Sequence, residues 1–225
     1  MRIDVIAAHT KILQSSLNES IVKRAREKKL IEVVLHNLRD YAKGKYRQID
    51  DKPFGGGSGM VLKPEPFFAC IEKLISERNY DEIIHLTPQG MLFNQKTANK
   101  LSAENNLILL CGHYKGIDQR VIDKFATMEL SIGNYVLTGG ETAAIVVIDA
   151  VTRLIPGVLG DSESALTDSF QTASVFDAPV YTRPAKYKGM QVPEVLLKGN
   201  HAEISEWRYT QGKKKYIKTR KHKLL

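Results

Sequence analysis

Apolar residues fall in short, unbroken blocks along the first two-thirds of the chain. MRIDVIA, EVVLH, DEIIHLT, NLILLC and TMELSI are mostly continuous apolar runs, which predicts strands of a sheet covered on both faces. Between these blocks, SIVKRAREKKL, PFFACIEKLISER and QKTANKLSA place their apolar residues three and four positions apart, the spacing of one face of a helix. Pro64 and Pro66 suit a first helical turn, and Asn94 suits an N-cap. Alternating strands and helices predict an α/β domain with a mainly parallel sheet.

A further helix follows Gly140, and the texture changes beyond it. This apolar helix is expected to run to about Leu154, where Ile155-Pro156-Gly157 stops it. The stretch that follows, GVLGDSESALTDSFQTASVFDAPVYTRP, has no sustained periodicity and reads as a flexible linker. Beyond it, GNHAEISEWRYTQGKKKYIKTRKHKLL predicts a helix leading into a basic tail. The expected organisation is an α/β domain over 1–157, a linker over 158–178 and a small helical domain over 179–225.

Charge sharpens this division. The 225 residues carry a net charge of +8, yet from Tyr181 onward twelve Lys and Arg face only three Glu. The basic character therefore belongs to the last segment, and the rest is nearly balanced. A concentrated basic face points to a polyanion such as nucleic acid; the alternative is a solvated tail. No block reaches 18 apolar residues, so no membrane helix is expected, and MRIDVIAAHT lacks a signal-peptide layout. Cys70 and Cys111 lie in apolar surroundings without metal-ligand spacing. They read as buried free thiols of a cytoplasmic protein.

Candidate chemistry sits in four glycine-bearing stretches: DDKPFGGGSGMVLKPEP, LTPQG, LLCGHYKGIDQR and SIGNYVLTGG. None is a G-x-x-x-x-G-K-[ST] or G-x-G-x-x-G motif, so a polyphosphate cradle is not indicated. The last three each put Gly or Pro just past the C-terminal end of an expected strand, the edge where open α/β sheets bind ligands. Pro88, Gln89, Gly112, Tyr114, Ile132, Tyr135, Leu137 and Gly140 would line such a pocket with backbone amides and neutral walls. That lining suits an adenosine-type ligand without a polyphosphate; the alternative is tight sheet–helix packing. By spacing alone Asp168 is an N-cap and Arg153 complements a helix C-terminus. Trp207 reads as a packing anchor, and His113 and His201 as surface or hydrogen-bonded residues. No metal-site spacing or covalent nucleophile is visible.

Taken in order, DDKPFGGGSGMVLKPEP, LTPQG, LLCGHYKGIDQR, SIGNYVLTGGE, DAVTRLIPGVLG, DSF, YTRP and GNHAEISEWR closely resemble the TrmD family of bacterial tRNA (guanine-37-N1)-methyltransferases. The resemblance implies a SPOUT-type α/β fold with a trefoil knot at the cofactor site, and S-adenosylmethionine as methyl donor. It implies a homodimer whose active sites are shared, acting on the anticodon stem-loop of tRNA. The cofactor residues it implies extend the pocket to Gly133, Asn134, Val136 and Gly139. Asp168 of the DSF motif becomes the general base and Arg153 its electrostatic partner. Gly56 and Gly57 would lie near the extruded guanine, and Arg208, Lys213 and Lys214 are candidate tRNA contacts.

The chain departs from the family's usual pattern in two places. The family commonly has C-G-R-Y-E-G where this sequence has CGHYKG, so His113 and Lys115 replace an arginine and a glutamate. That glutamate is linked to a magnesium requirement, and the charge reversal leaves the role of magnesium open here. Ala143 stands where the family often has proline.

Overall fold

The computed structural model of the chain describes residues 1–159 and 176–221. They belong to two compact units, Met1–Gly160 and Asp161–Leu225.

The five apolar blocks form one sheet. Its strands are β1 (Arg2–Ala7), β2 (Glu32–Asn37), β5 (Glu82–Leu92), β6 (Asn106–Cys111) and β7 (Met128–Ser131), in spatial order β2-β1-β6-β5-β7. Every pairing is parallel, as continuous rather than alternating apolar runs require. Side chains of the central strands alternate between two buried layers. Ile3, Val5 and Ala7 join Leu107, Leu109 and Cys111 on one face, and Ile6 joins Ile108 and Leu110 on the other. Helices α1 (Thr10–Leu17), α2 (Ser20–Glu27), α4 (Gln95–Ser102) and α6 (Glu141–Thr152) cover the first face. Helices α3 (Pro64–Glu77) and α5 (Gln119–Phe125) cover the second, helped by a 3-10 turn at Leu38–Tyr41.

Local chemistry explains the boundaries. Pro64 opens α3 where its missing N–H has no partner to lose. The Asn94 side chain accepts the Thr97 N–H at 3.0 Å, the expected cap of α4. The helix after Gly140 ends at Thr152 with Arg153 as C-cap, and Gly157 turns the chain at φ +82°. Helices α1 and α5, of eight and seven residues, are not among those that the periodicity predicts. The short antiparallel pair β3 (Asp50–Asp51) and β4 (Val61–Leu62) closes the stem of the Gly-rich loop.

One strand expectation needs correction. LTPQG does not follow the end of a strand; β5 continues through it to Leu92. Leu86 and Met91 both pair with Leu130, so the residues between them bulge out of the ladder. The bulge admits Pro88, which has no N–H to give a paired strand.

The second unit contains a hairpin, β8 (Lys186–Tyr187) and β9 (Met190–Gln191), and the long helix α7 (His201–Lys221). The helix was expected; the hairpin, turned by Gly189 at φ +82°, was not.

A buried charge cluster fastens the amino-terminal end of the sheet. Asp4 is fully buried in β1. It accepts hydrogen bonds from Arg2 at 2.7 and 2.9 Å and from Tyr80 at 2.7 Å, and lies 2.7 Å from His36 Nε2. Burial pushes its carboxyl up, but the bonds from His36, Arg2 and Tyr80 outweigh burial and hold it at about 2 instead of 3.8. A depressed carboxylate stabilises the fold above its unfolded value and stops doing so as pH falls through its folded value. The contribution, about 2–3 kcal/mol from a shift of that size, should vanish between about pH 4 and pH 2. Urea titrations should show Asp4→Ala costing roughly 3 kcal/mol at neutral pH, with the difference from wild type shrinking toward pH 2. A pH-independent difference would assign the loss to packing instead.

Candidate active site

The carboxyl edge of the sheet bears a cavity of about 380 Å³. It is built from the three turns flagged in the sequence: the bulge at 87–90, the turn after β6 at 112–116 and the loop 132–140. Of the expected residues, Pro88, Gln89, Gly112, Tyr114, Ile132, Gly133, Tyr135, Val136, Leu137, Gly139 and Gly140 line it. Asn134 belongs to the same loop but is not part of the wall.

The contact that shapes the cavity is main chain against main chain. Gly140 donates its N–H to the Gly112 carbonyl at 2.8 Å, and Gly139 bridges antiparallel to His113. A Cβ on Gly140 would stand 2.8 Å from Cys111 Cα and 3.1 Å from Gly112 N. Its φ of −74° is open to any residue, so space and not conformation demands glycine. The backbone that the GG pair approaches so closely is therefore the chain's own. Gly140 also caps α6, whose first turn carries the buried Glu141. That carboxylate accepts the His9 N–H at 3.2 Å, tying the end of β1 to the same corner.

The walls are mostly neutral. Tyr135, Val136 and Leu137 expose apolar surface, and the 132–140 loop is braced by Ser131, which donates to the Gly133 carbonyl at 3.0 Å. Two ionisable residues missed in the sequence also line the cavity. His85 of β5 meets Glu129 of β7 through Nδ1 and Oε2 at 2.9 Å. They are register partners, which composition cannot reveal. His113 departs from the expectation of a surface or hydrogen-bonded residue. Its ring packs between His9 and Tyr114, with centroids 4.8 and 4.6 Å away, and its buried Nδ1 has no hydrogen-bond partner among the described residues. Cys111 beneath the turn is a buried free thiol whose pKa is raised by burial and then by Glu141. It is no nucleophile.

The remaining expected residues are dispersed. Asp168 lies outside the described residues. Arg153 is half-buried at the C-cap of α6 and engaged in an interaction there. Gly56 and Gly57 lie in an exposed loop at φ +79° and +108°, with nothing within 4 Å of where a Cβ would be. In the second unit, Arg208 lines an open cleft of about 960 Å³ with Arg183 and Tyr209. Lys213 sits 5.8 Å from the Tyr209 ring and Lys214 is exposed. Trp207, half-buried, packs 6.5 Å from Tyr181. No helix among the described residues is long and apolar enough to cross a membrane.

A cavity walled by backbone on a parallel sheet agrees with the motif order, and comparison with known proteins decides the family. The model of the tRNA (Guanine-1)-methyltransferase TrmD family matches residues 1–225. The chain belongs to this family. It is 55% identical over 220 residues to a tRNA (guanine-N(1)-)-methyltransferase of Chlorobaculum tepidum, covering 98% of this chain and 95% of the relative. It is 56% identical over 221 residues to the protein of that name from Christiangramia forsetii, covering 98% and 96%. A Bacteroides fragilis relative of the same name is 56% identical over 212 residues, 94% of each chain. The all-parallel sheet is consistent with the α/β architecture expected from the TrmD resemblance.

Gly140→Ala should test the close approach. It should destabilise the protein by about 2–3 kcal/mol, because only backbone can yield. Gly44→Ala, at φ +86° with nothing within 4 Å, should cost only about 1 kcal/mol. Equal losses in chemical denaturation would mean that the 112 and 140 turns are not tightly opposed.

Proposed function

We propose that the chain transfers a methyl group from S-adenosylmethionine to N1 of guanine 37 in tRNAs where a guanine precedes it. The observation that carries this reading is the cavity at the carboxyl edge of the sheet, walled by the family's three turns and shaped by glycines. Its fit to the donor rests on three features. Backbone amides and carbonyls suit an adenine and ribose. Apolar walls at Tyr135, Val136 and Leu137 suit the adenine face and the methylenes of the donor. Among the described residues, no cluster of Lys and Arg lines it to hold a polyphosphate. When bound, the donor supplies an activated methyl on a sulfonium.

The chain's own work is then deprotonation and alignment. Guanine N1 carries a proton and is a weak nucleophile until that proton is removed. Asp168 is the proposed base. A free aspartate titrates near 3.9, so it is effective only when held against the N1 proton. Arg153 would stabilise the negative charge that gathers on the purine oxygen as the proton leaves. The pocket would hold the donor for in-line attack of N1 on its methyl carbon. No covalent adduct is required, which fits the inert setting of Cys111.

Extrusion of the guanine from its stack, required for chemistry on a base, would bring it to the Gly-rich loop containing Gly56 and Gly57. Arg208, Lys213 and Lys214 of the basic segment would meet tRNA phosphates. A homodimer with Asp168 and the donor pocket on different chains, and a trefoil knot joining the 112 and 140 turns, complete the reading. Lys115, standing where the family has glutamate, supplies no carboxylate for magnesium.

Labelled S-adenosylmethionine with paired transcripts bearing guanine or adenine at position 37 tests the activity. Only the guanine transcript should be methylated, and transfer to neither would overturn the proposal. Asp168→Asn should keep donor affinity and lose at least about a hundredfold in rate, the usual worth of a general base. Near-full rate would remove it from that role. Raising salt should weaken tRNA binding far more than donor binding, because only the former rests on many phosphate contacts.

A further inference from the structure

Among the described residues, Lys115 is the one Lys or Arg lining the 380 Å³ cavity, and its side chain is exposed. It forms no ion pair among the described residues. The neighbouring acids are already engaged, Asp118 with Arg120 at 2.8 Å and Glu129 with His85 at 2.9 Å. An unpaired lysine at a cavity rim is commonly just solvated. This one differs because its stem is held.

The Lys115 N–H donates to the Met60 carbonyl at 3.0 Å, the Leu62 N–H to Gly116 and the Asp118 N–H to Leu62, both also at 3.0 Å. Leu62 and Ile117 thereby form a parallel bridge that joins the cavity turn to the stem of the Gly-rich loop. A Cβ on Gly59 would lie 3.1 Å from Lys115 Cγ and 3.3 Å from its Cε. The methylenes therefore run along Gly59, at the base of the Gly-rich loop. Beyond it, Gly55, Gly56 and Gly57 have nothing within 4 Å of their Cβ positions, and Phe54 is fully exposed. This surface admits a sugar–phosphate strand close to the backbone.

We infer that Lys115 anchors a phosphate of the RNA strand that crosses the cavity mouth over the Gly-rich loop. The inference rests on the proposed RNA methylation and adds to it a contact in the α/β unit, separate from the basic segment. The shared chemistry is an anionic oxygen, and the alternative source is the donor's own carboxylate. The packing of the stem against Gly59 of the Gly-rich loop favours the RNA. Because packing on Gly59 already restrains the methylenes, less side-chain freedom is lost on binding than for a free lysine.

The test uses the full chain and a labelled anticodon stem-loop transcript, titrated across a salt series, with S-adenosylmethionine affinity measured in parallel by calorimetry. Lys115→Gln should weaken RNA binding several-fold at low salt and lower the slope of log affinity against log salt by about 0.7–0.9, the value of one phosphate contact. Lys115→Arg should restore both, and donor affinity should not change in either variant. A loss of donor affinity with an unaltered RNA slope would assign the ammonium to the donor's carboxylate and overturn the inference. No change in either affinity would overturn it as well, leaving a solvated lysine. The binding assay needs no turnover, so wild-type protein that binds the transcript without methylating it would refute the proposed activity separately.

Discussion

The site depends on one close approach, that of Gly139-Gly140 to Cys111-Gly112. Two stretches of main chain meet there with no side chain between them, joined by the hydrogen bond from Gly140 to Gly112. The turn after β6 fixes one wall of the cavity, and the loop after β7 fixes the other. Helix α6 starts at the contact, so its direction across the sheet is set by the same two residues. Glu141 then draws in the end of β1 through His9. A displacement at this point would move three elements and both walls together.

The two ends of the sheet are held by different physics. At the amino edge, charge is buried and satisfied: Arg2, His36 and Tyr80 surround Asp4 and leave it no further work to do. At the carboxyl edge, polar capacity is left in hand. Backbone groups face the cavity, His113 Nδ1 has no partner among the described residues, and Lys115 has no counter-ion there. A polar group buried without a partner carries a desolvation cost. At the cavity that cost falls on His113, where a ligand could relieve it.

Much of this was readable from residue order. Continuous Val, Ile and Leu runs identified all five sheet strands, because a buried parallel strand has no solvent face to mark with polar residues. The glycine turns identified the cavity edge, and the motif order identified the family. What stayed hidden was set by register and tertiary contact. His85 and Glu129 are far apart in sequence and meet only because β5 and β7 pair at that level. The bulge at Thr87 to Gly90 could not be told from a strand end, since Pro and Gly mark both. Asp4 lies within the first apolar block, and two of its three partners, His36 and Tyr80, come from distant parts of the chain. Lys115 could be singled out by its charge, but its support on Gly59 needed coordinates.

The Gly-rich loop has a kinetic consequence. Its stem is zipped onto residues 115–118, while Gly55, Gly56 and Gly57 have open space around them. Fixing the backbone of each residue costs about 1–2 kcal/mol, and glycine loses the most freedom. A partner that orders those three residues must supply that free energy from its own contacts. Much of the encounter's gross attraction is thereby consumed in ordering the loop, and the bound complex is shallower than its contact area suggests. For a catalyst that must let a large modified product go before taking the next, that shallowness favours rapid exchange.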